Sequence, residues 1–529
     1  MKDSTAAKVI FLWLAVVVTS LYFRPLMPID ETRYVSVAWD MWHGGNFWVP
    51  QINGHPYSDK PPLLFYLIHM GWFFLGVNEW SARLTGPFFG LLNLFLTARL
   101  AQRLWPDDAM VGSISPFVLL SMPLWAVLTT MTMFDMMLCF FVLVSVFGLL
   151  SAGFEKKRYG WLLLAAGIGG GILTKGPIVL LFVLPPGILA PWWTRDSGPV
   201  SWWRWYGGLS GALLVGIGMA LVWVLPAARF GGAAYADAIL WGQTAGRMVK
   251  SFAHQRPYWW YVPMLMLAVL PWSWRIPCIS RQNLDHASKF LLSWSIPGFI
   301  LLSLVSGKQI HYLIPLLPPL ALLVSRHLGA TPSRVHAEAY ILTGLYLLVG
   351  AFLIVAPFLT VYWPGWAPFM DRPVVWPIIC VIAAVIFLCI PQKNIAHAIS
   401  ASCAAMVFLI IMLHIVFYRQ TMLYYDVSPM AERMAAIQQS GKTVAVYPEK
   451  YAIQFQFSGR LDTVVGLESR QQLEDWLKHN PGQYVVFVSE NLPLVDKELW
   501  NGCILLRPFR DEWTSLWQAE ALNRALSSL

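Results

Sequence analysis

The sequence predicts a polytopic α-helical membrane protein of about thirteen transmembrane helices, closed by a small soluble domain of α/β or α+β type. Three observations carry this. The 529 residues are 57% hydrophobic and only 12% charged, with a mean hydropathy of +0.56, where a soluble chain carries roughly a quarter charged residues. Apolar stretches near the length of a bilayer crossing recur from the N-terminus to about residue 417. Beyond that point the composition turns polar.

The first apolar run follows Lys2 and Lys8 and leaves through Tyr22-Phe23-Arg24-Pro25, with no small-residue cleavage site. It reads as a retained helix and not as a signal peptide. The expected spans are 9–28, 84–104, 112–129, 133–152, 160–174, 177–193, 207–227, 259–275, 290–306, 310–325, 337–361, 373–391 and 396–417. Residues 63–75 are apolar but cover only about 20 Å as a helix. An interfacial helix fits better there than a further span, which would turn every later basic loop outward. With Lys2 and Lys8 inside, the inner loops hold Arg99 and Arg103, then Lys156, Lys157 and Arg158. Arg195 and Arg204 follow, then Arg275, Arg281 and Lys289, then Arg326 and Arg334, and finally Lys393. The N-terminus is expected in the cytoplasm and the tail in the periplasm.

Residues 1–424 are therefore expected to form a membrane domain, with interfacial helices in the first outer loop (about 29–83). Residues 425–529 are expected to form a soluble domain. In the latter, 442–447 and 484–489 read as strands and 469–479 as an amphipathic helix. It carries no nucleotide-binding glycine loop, and its expected role is supporting or substrate-gating.

The formal charge of +9 is spread over short connections, so it speaks for topology and anionic lipid rather than nucleic acid. Of the six cysteines only Cys503 lies in the tail, and neither disulfide framework nor zinc spacing is present.

Charged residues at or near span ends fall together on the outer side: Asp30 and Glu31, Lys60, Asp135, Lys175, His254 and Arg256, Lys308 and His311. Each alone has an ordinary explanation, as a loop start, a snorkelling lysine or a helix cap. Their shared side suggests a substrate site. Carboxylates beside several cations suit a phosphate-bearing lipid: Lys60, Lys175, Arg256 and Lys308 would hold the phosphate and its departing charge. Asp30 would act on an acceptor. A divalent ion is compatible with this Asp- and His-containing set, although no ligand spacing calls for one.

The same residues carry a resemblance. Asp30-Glu31-Thr32-Arg33-Tyr34, Val49-Pro50-Gln51-Ile52-Asn53-Gly54, Lys60-Pro61-Pro62-Leu63 and Ser81-Ala82-Arg83-Leu84 come first in order. Leu173-Thr174-Lys175-Gly176-Pro177, the aromatic stretch Pro257 to Pro263, Leu270-Pro271-Trp272-Ser273 and Ser306 to Pro315 follow. Together they resemble the bacterial aminoarabinose transferases that modify lipid A. These stand within the multi-spanning glycosyltransferases of C-type fold, which include the protein O-mannosyltransferases.

The resemblance implies an inner-membrane enzyme with undecaprenyl phosphate as sugar carrier. It would transfer 4-amino-4-deoxy-L-arabinose to lipid A at the periplasmic face. It also implies Asp30 and Asp135 as the important acidic positions, Lys60 on the donor phosphate with Arg33 beside it, and His254 and Tyr312 as cavity partners; Glu31, Tyr34, Asp59 and His311, placed beside these positions, complete the expected cavity or acceptor-side set. Beyond the lipid-linked sugar no cofactor is implied, and the partners are the donor, the acceptor and membrane lipid. Asp59 stands where the family pattern has glutamate, and Gly307-Lys308-Gln309-Ile310 departs from the usual lysine-leucine-proline version. Specificity depends on such details. Transfer of another polyprenyl-linked sugar to a glycan or protein is the alternative reaction. A lipid or solute transporter is the alternative class, which would place its polar cluster nearer the membrane midplane.

Overall fold

The computed structural model describes residues 3–194, 201–241, 255–279, 284–330, 336–359, 375–390, 394–490 and 502–527. Among these, nine helices are long and apolar enough to cross a membrane. That is fewer than the thirteen spans expected, for identifiable reasons. Ala109–Leu120 and Val375–Cys389 are apolar but short. The first is broken from Pro123–Leu128 at Ser121-Met122, where proline starts a new turn. Residues 259–275 divide into the short turns Tyr258–Trp260 and Ser273–Arg275 around the helix Tyr261–Ala268.

The run Tyr159–Ile188 is continuous in hydropathy but not in backbone. Gly176 adopts φ +76° directly after Lys175, and Pro177 follows. The chain then returns, and the Trp193 ring packs 5.2 Å from that of Phe154, just ahead of the helix Tyr159–Lys175.

Helix α1 (Asp3–Phe23) leads into α2 (Asp30–Gly44), which stops where Gly45 takes the left-handed conformation, φ +66°. A two-residue hairpin follows, β1 (Gln51–Ile52) against β2 (His55–Pro56). Its tip is Asn53-Gly54 with φ 53° and 78°, the sequence that tolerates a turn with two positive φ angles. Helix α3 (Leu63–Leu75) is the thirteen-residue element expected at the interface. Arg83 then reaches back to the end of α1, donating to the carbonyls of Ser20 (3.2 Å) and Arg24 (2.6 Å). A cation on the last carbonyls of a helix satisfies groups that have no helical partner. Among the described residues Arg83 also pairs with Glu79 at 2.8 Å.

After the last long helix the chain builds a five-stranded sheet in the order β4-β3-β5-β7-β6. β3 (Val444–Tyr447) is parallel to β4 (Val465–Gly466) and β5 (Tyr484–Ser489). The hairpin β6 (Cys503–Phe509) and β7 (Glu512–Gln518) extends it antiparallel. Val444, Val446 and Val486 face one apolar cluster, while Ala445 and Val485 face another around Leu473, Leu477 and Trp517. Burial on both faces is what a mixed sheet covered on two sides requires. The helix Arg470–His479 opens on a capping box between Ser469 and Gln472. Both expected strands and this helix are present; the β6–β7 hairpin is additional.

Candidate functional site

Helix α2 has three working edges because a helix turns about 100° per residue. Asp30, Arg33 and Tyr34 share one edge, Glu31, Val35 and Ala38 a second, and Thr32, Ser36 and Trp39 a third.

On the first edge, Arg33 donates to Asp30 Oδ1 at 2.5 Å and the Tyr34 hydroxyl donates to the same oxygen at 3.2 Å. Asp59 Oδ2 stands 3.9 Å from the Arg33 guanidinium, and Lys60 Nζ donates to the Asp59 carbonyl at 3.2 Å. Burial, reinforced by the charge of Asp30 and the Tyr57 phenol, holds the Tyr34 phenol well above its ordinary pKa. It therefore stays a neutral donor. Asp30 is 39% exposed, so the carboxylate can be approached from outside.

A second constellation lies at the start of the helix Phe134–Gly153. Asp135, 3% exposed, accepts from Lys175 Nζ at 2.7 Å, and His311 Nε2 is 4.0 Å from its other oxygen. The Lys175 ammonium also stands 4.4 Å from the centroid of the Tyr312 ring, within cation–π range. The two constellations meet through aromatic edges: Tyr34 packs edge-on to Phe134 at 4.9 Å, and Phe134 to Phe65 at 5.8 Å. His311 lies within electrostatic reach of both Asp30 and Lys60. The structure thus gathers Asp30, Arg33, Tyr34, Asp59, Lys60, Asp135, Lys175, His311 and Tyr312 around one region.

Other expected residues sit differently. Glu31, fully buried, lies on the second edge and pairs with Arg24. It also accepts from the backbone N–H of Thr132 at 2.6 Å and of Met27 at 3.0 Å. Burial by itself would raise its pKa. The Arg24 charge and hydrogen bond, the Thr132 N–H and Arg83 outweigh that and hold it below the usual carboxylate value. Lys308 is 3% exposed, with its ammonium on the carbonyls of Arg256 (3.2 Å) and Val305 (2.5 Å). The Arg256 side chain is exposed. His254 lies outside the described residues.

Sequence reasoning missed Arg24, whose guanidinium also donates to Thr130 O at 2.9 Å. It was visible only as a basic residue leaving a span. The Thr129–Thr132 turn that receives Arg24 and Glu31 needs two glycines on the neighbouring helix Thr85–Leu104. A Cβ on Gly86 would fall on the Met131 carbonyl, and one on Gly90 on Thr129 Oγ1.

Asp40, lower on α2, accepts from the N–H groups of Asn53 and Gly54. Burial pushes its pKa up to about 6 against the lowering effect of those bonds and of His43. A carboxyl raised in the folded state favours folding at low pH, and that contribution falls away as pH rises from about 4 to about 6. Asp40→Asn should flatten this fall in a thermal-stability profile between pH 4 and 7. A profile identical to the parent's would remove Asp40 as its source.

No group of three or more His, Cys, Asp or Glu with metal-binding geometry occurs among the described residues. Asp30 and Asp135 are each paired with a cation, Arg33 and Lys175.

Residues 59–226 match the family model of the dolichyl-phosphate-mannose-protein mannosyltransferases. The undecaprenyl phosphate-alpha-4-amino-4-deoxy-L-arabinose arabinosyl transferase of Pseudomonas aeruginosa (strain UCBPP-PA14) is 32% identical over 315 residues. This covers 56% of this chain and 55% of that protein. Its counterpart in Enterobacter sp. (strain 638) is 28% identical over 341 residues, or 61% and 60% of the two chains. The chain thus spans 55–60% of the length of these curated relatives.

In fold, ArnT from Cupriavidus metallidurans bound to undecaprenyl phosphate superposes with a TM-score of 0.76 at 16% identity, covering 97% of both chains. The archaeal oligosaccharyltransferase AglB from Archaeoglobus fulgidus gives 0.51 at 10% identity, over 90% of this chain and 69% of that one. Over the matched segments the chain is thus similar in sequence to the undecaprenyl-phosphate aminoarabinose transferases and, over residues 59–226, to the protein mannosyltransferases, and it shares the fold of ArnT.

Proposed function

We propose that this chain is an inner-membrane glycosyltransferase that moves 4-amino-4-deoxy-L-arabinose from undecaprenyl phosphate to lipid A at the periplasmic face. The observation that carries the proposal is the pairing of two carboxylates with cations in one region: Asp30 with Arg33, and Asp135 with Lys175. The homologous transferases are named for this donor and this sugar.

In the reaction, the bond between the sugar anomeric carbon and the carrier phosphate breaks, and a lipid A phosphate oxygen forms the new bond. A monoester becomes a diester while the carrier diester becomes a monoester, so negative charge moves from one phosphate to the other and no proton need be removed. Lys60 and Arg33 face the departing phosphate and stabilise the charge that collects there. Asp30, already held by Arg33 and Tyr34, orients the acceptor or binds the amino group of the sugar. Asp135 fixes the Lys175 ammonium, with His311 and Tyr312 completing the wall.

The thirteen-span topology, with the N-terminus inside and residues 425–529 as a separate periplasmic unit after a membrane unit over 1–424, goes with this reading. Three observations support its orientation and its division into two units. Basic residues collect at one end of the bundle, where Arg103 meets Ser151 at 3.1 Å and Glu155 at 3.4 Å. Asp135 and Lys175 mark the other end of the same helices. The C-terminal sheet has apolar clusters of its own.

Mass spectrometry of lipid A from cells carrying the parent protein or Asp30→Asn, at equal membrane abundance, tests the proposal. The parent should add the mass of one aminoarabinose, and Asp30→Asn should lose most of it. No increment in the parent, with donor supplied, sinks the lipid A assignment; a full increment in the variant removes Asp30 from the site. Donor turnover without lipid A modification would point to another envelope glycan or a protein as acceptor.

A further inference from the structure

Resting on the site just proposed, the third edge of α2 acquires a purpose. Thr32 donates to Gln454 Oε1 at 2.5 Å, Ser36 Oγ accepts from the Phe457 N–H at 3.3 Å, and Trp39 donates to the Leu461 carbonyl at 3.1 Å. The hairpin tip is gripped by the same segment. Asn53 Nδ2 donates to the Val464 carbonyl at 3.0 Å, while its Oδ1 accepts from the Val464 N–H at 2.9 Å and from Gln456 at 3.1 Å. Trp72 of α3 stacks flat on Phe457, with centroids 5.5 Å apart and planes 2° from parallel. Thr32, Ser36, Asn53, Gln454 and Gln456 are all buried.

We propose that residues 454–464 of the C-terminal domain are a positioning clamp on α2 and the Asn53-Gly54 hairpin, and set the place of Asp30, Arg33 and Lys60 for transfer. Three physical arguments lead there. A helix of fifteen residues is marginal by itself in water and must be held by tertiary contacts. The contacts are directional: the Asn53 amide pairs with both polar groups of one backbone residue, which fixes register as well as proximity. They also lie next to the site in sequence. Thr32 adjoins Arg33 and follows Asp30 by two residues, and Asn53 precedes Lys60 by seven. A shift of about 1 Å at such groups costs a reaction about a hundredfold, so loosening the clamp should be felt in turnover.

Two substitutions remove clamp contacts; Thr32→Val also removes a 3.3 Å bond to the Ile29 carbonyl at the start of α2, whereas Asn53→Gly removes no bond within that helix. Thr32→Val keeps the shape and deletes the hydroxyl. Asn53→Gly keeps the positive-φ turn, which glycine accepts freely, and deletes the amide. Amide hydrogen exchange and transfer kinetics should be measured on the purified full chain, per folded molecule. Both variants should speed exchange across residues 30–44 and lower kcat about ten- to hundredfold, and Thr32→Ser should restore both.

Unchanged exchange across α2 overturns the clamp regardless of activity. Faster exchange with unchanged kcat overturns its positioning role. Asp30→Asn, run alongside, keeps the two ideas apart: full activity there would sink the site assignment, while the exchange of α2 would still decide the clamp.

Discussion

Replacing Asp135 by Asn should lower turnover at least about a hundredfold, on the scale of removing one preorganised electrostatic partner. It should also lower the melting temperature. Asp135 and Lys175 are 3% and 9% exposed and 2.7 Å apart. Removing one charge leaves the other buried and uncompensated, at a typical cost of about 3–5 kcal/mol. The double variant Asp135→Asn/Lys175→Met separates structure from chemistry, because deleting both charges of a buried pair is far less costly than deleting one. Its melting temperature should recover most of the loss while turnover stays low. A double variant that regains turnover would make the pair a structural tie and nothing more. Lys175→Met alone should match the single Asp135 variant in turnover, since His311, 4.0 Å from Asp135, has no ammonium to place over Tyr312.

Glu31→Gln should behave in the opposite sense: a large loss of folded protein, with the activity of each folded molecule largely kept. Glu31 and Arg24 are 0% and 1% exposed, and Glu31 also binds the N–H groups of Met27 and Thr132. The pair ties the exit of α1 to the Thr129–Thr132 turn, and its loss should cost about 3–5 kcal/mol. The pH dependence follows from the sign of the shift. A carboxylate held below its ordinary pKa stabilises the fold above that ordinary value, and the contribution fades as pH falls through the depressed one. The parent should therefore lose stability in acid more steeply than Glu31→Gln does. Size-exclusion profiles after solubilisation, with thermal melts from pH 3 to 7, measure this. A variant that folds normally yet does not transfer would return Glu31 to the cavity.

These two carboxylates, adjacent to Asp30 or level with it in the fold, show how far the sequence can be read. Apolar length and positive-inside bias gave the many-spanning core, and periodicity gave the strands near 444–447 and 484–489 and the helix Arg470–His479; the Asn53-Gly54 hairpin and the capping box at Ser469 came only with the structure. The outer-side clustering of Asp30, Lys60, Asp135, Lys175 and His311 was legible as sidedness, and the structure draws them around one region. Sidedness does not tell which way a side chain points. Glu31 is one residue from Asp30 and, being 100° further round the helix, faces Arg24 instead. Lys308 was expected on the same side, but its ammonium faces main-chain carbonyls. The β6–β7 hairpin escaped notice because its register shifts between Cys503 and Leu505, which spoils the alternation that marks a strand. The contacts of Thr32 and Asn53 with residues 454–464 have no local trace at all, being set by tertiary structure alone.

Those last contacts also order events in time. Thr32 and Gln454 are 422 residues apart in the chain. At about 5–20 residues per second α2 and the hairpin must wait on the order of 20–80 s for the segment that covers them. During that interval α1 and the helices after it can already be in the bilayer, while Trp72 has no Phe457 to lie against and Asn53 no Val464. Synthesis of this protein thus passes through a stage in which α2 and the Asn53-Gly54 hairpin lack the segment that covers them, and the last hundred residues complete what the first hundred began.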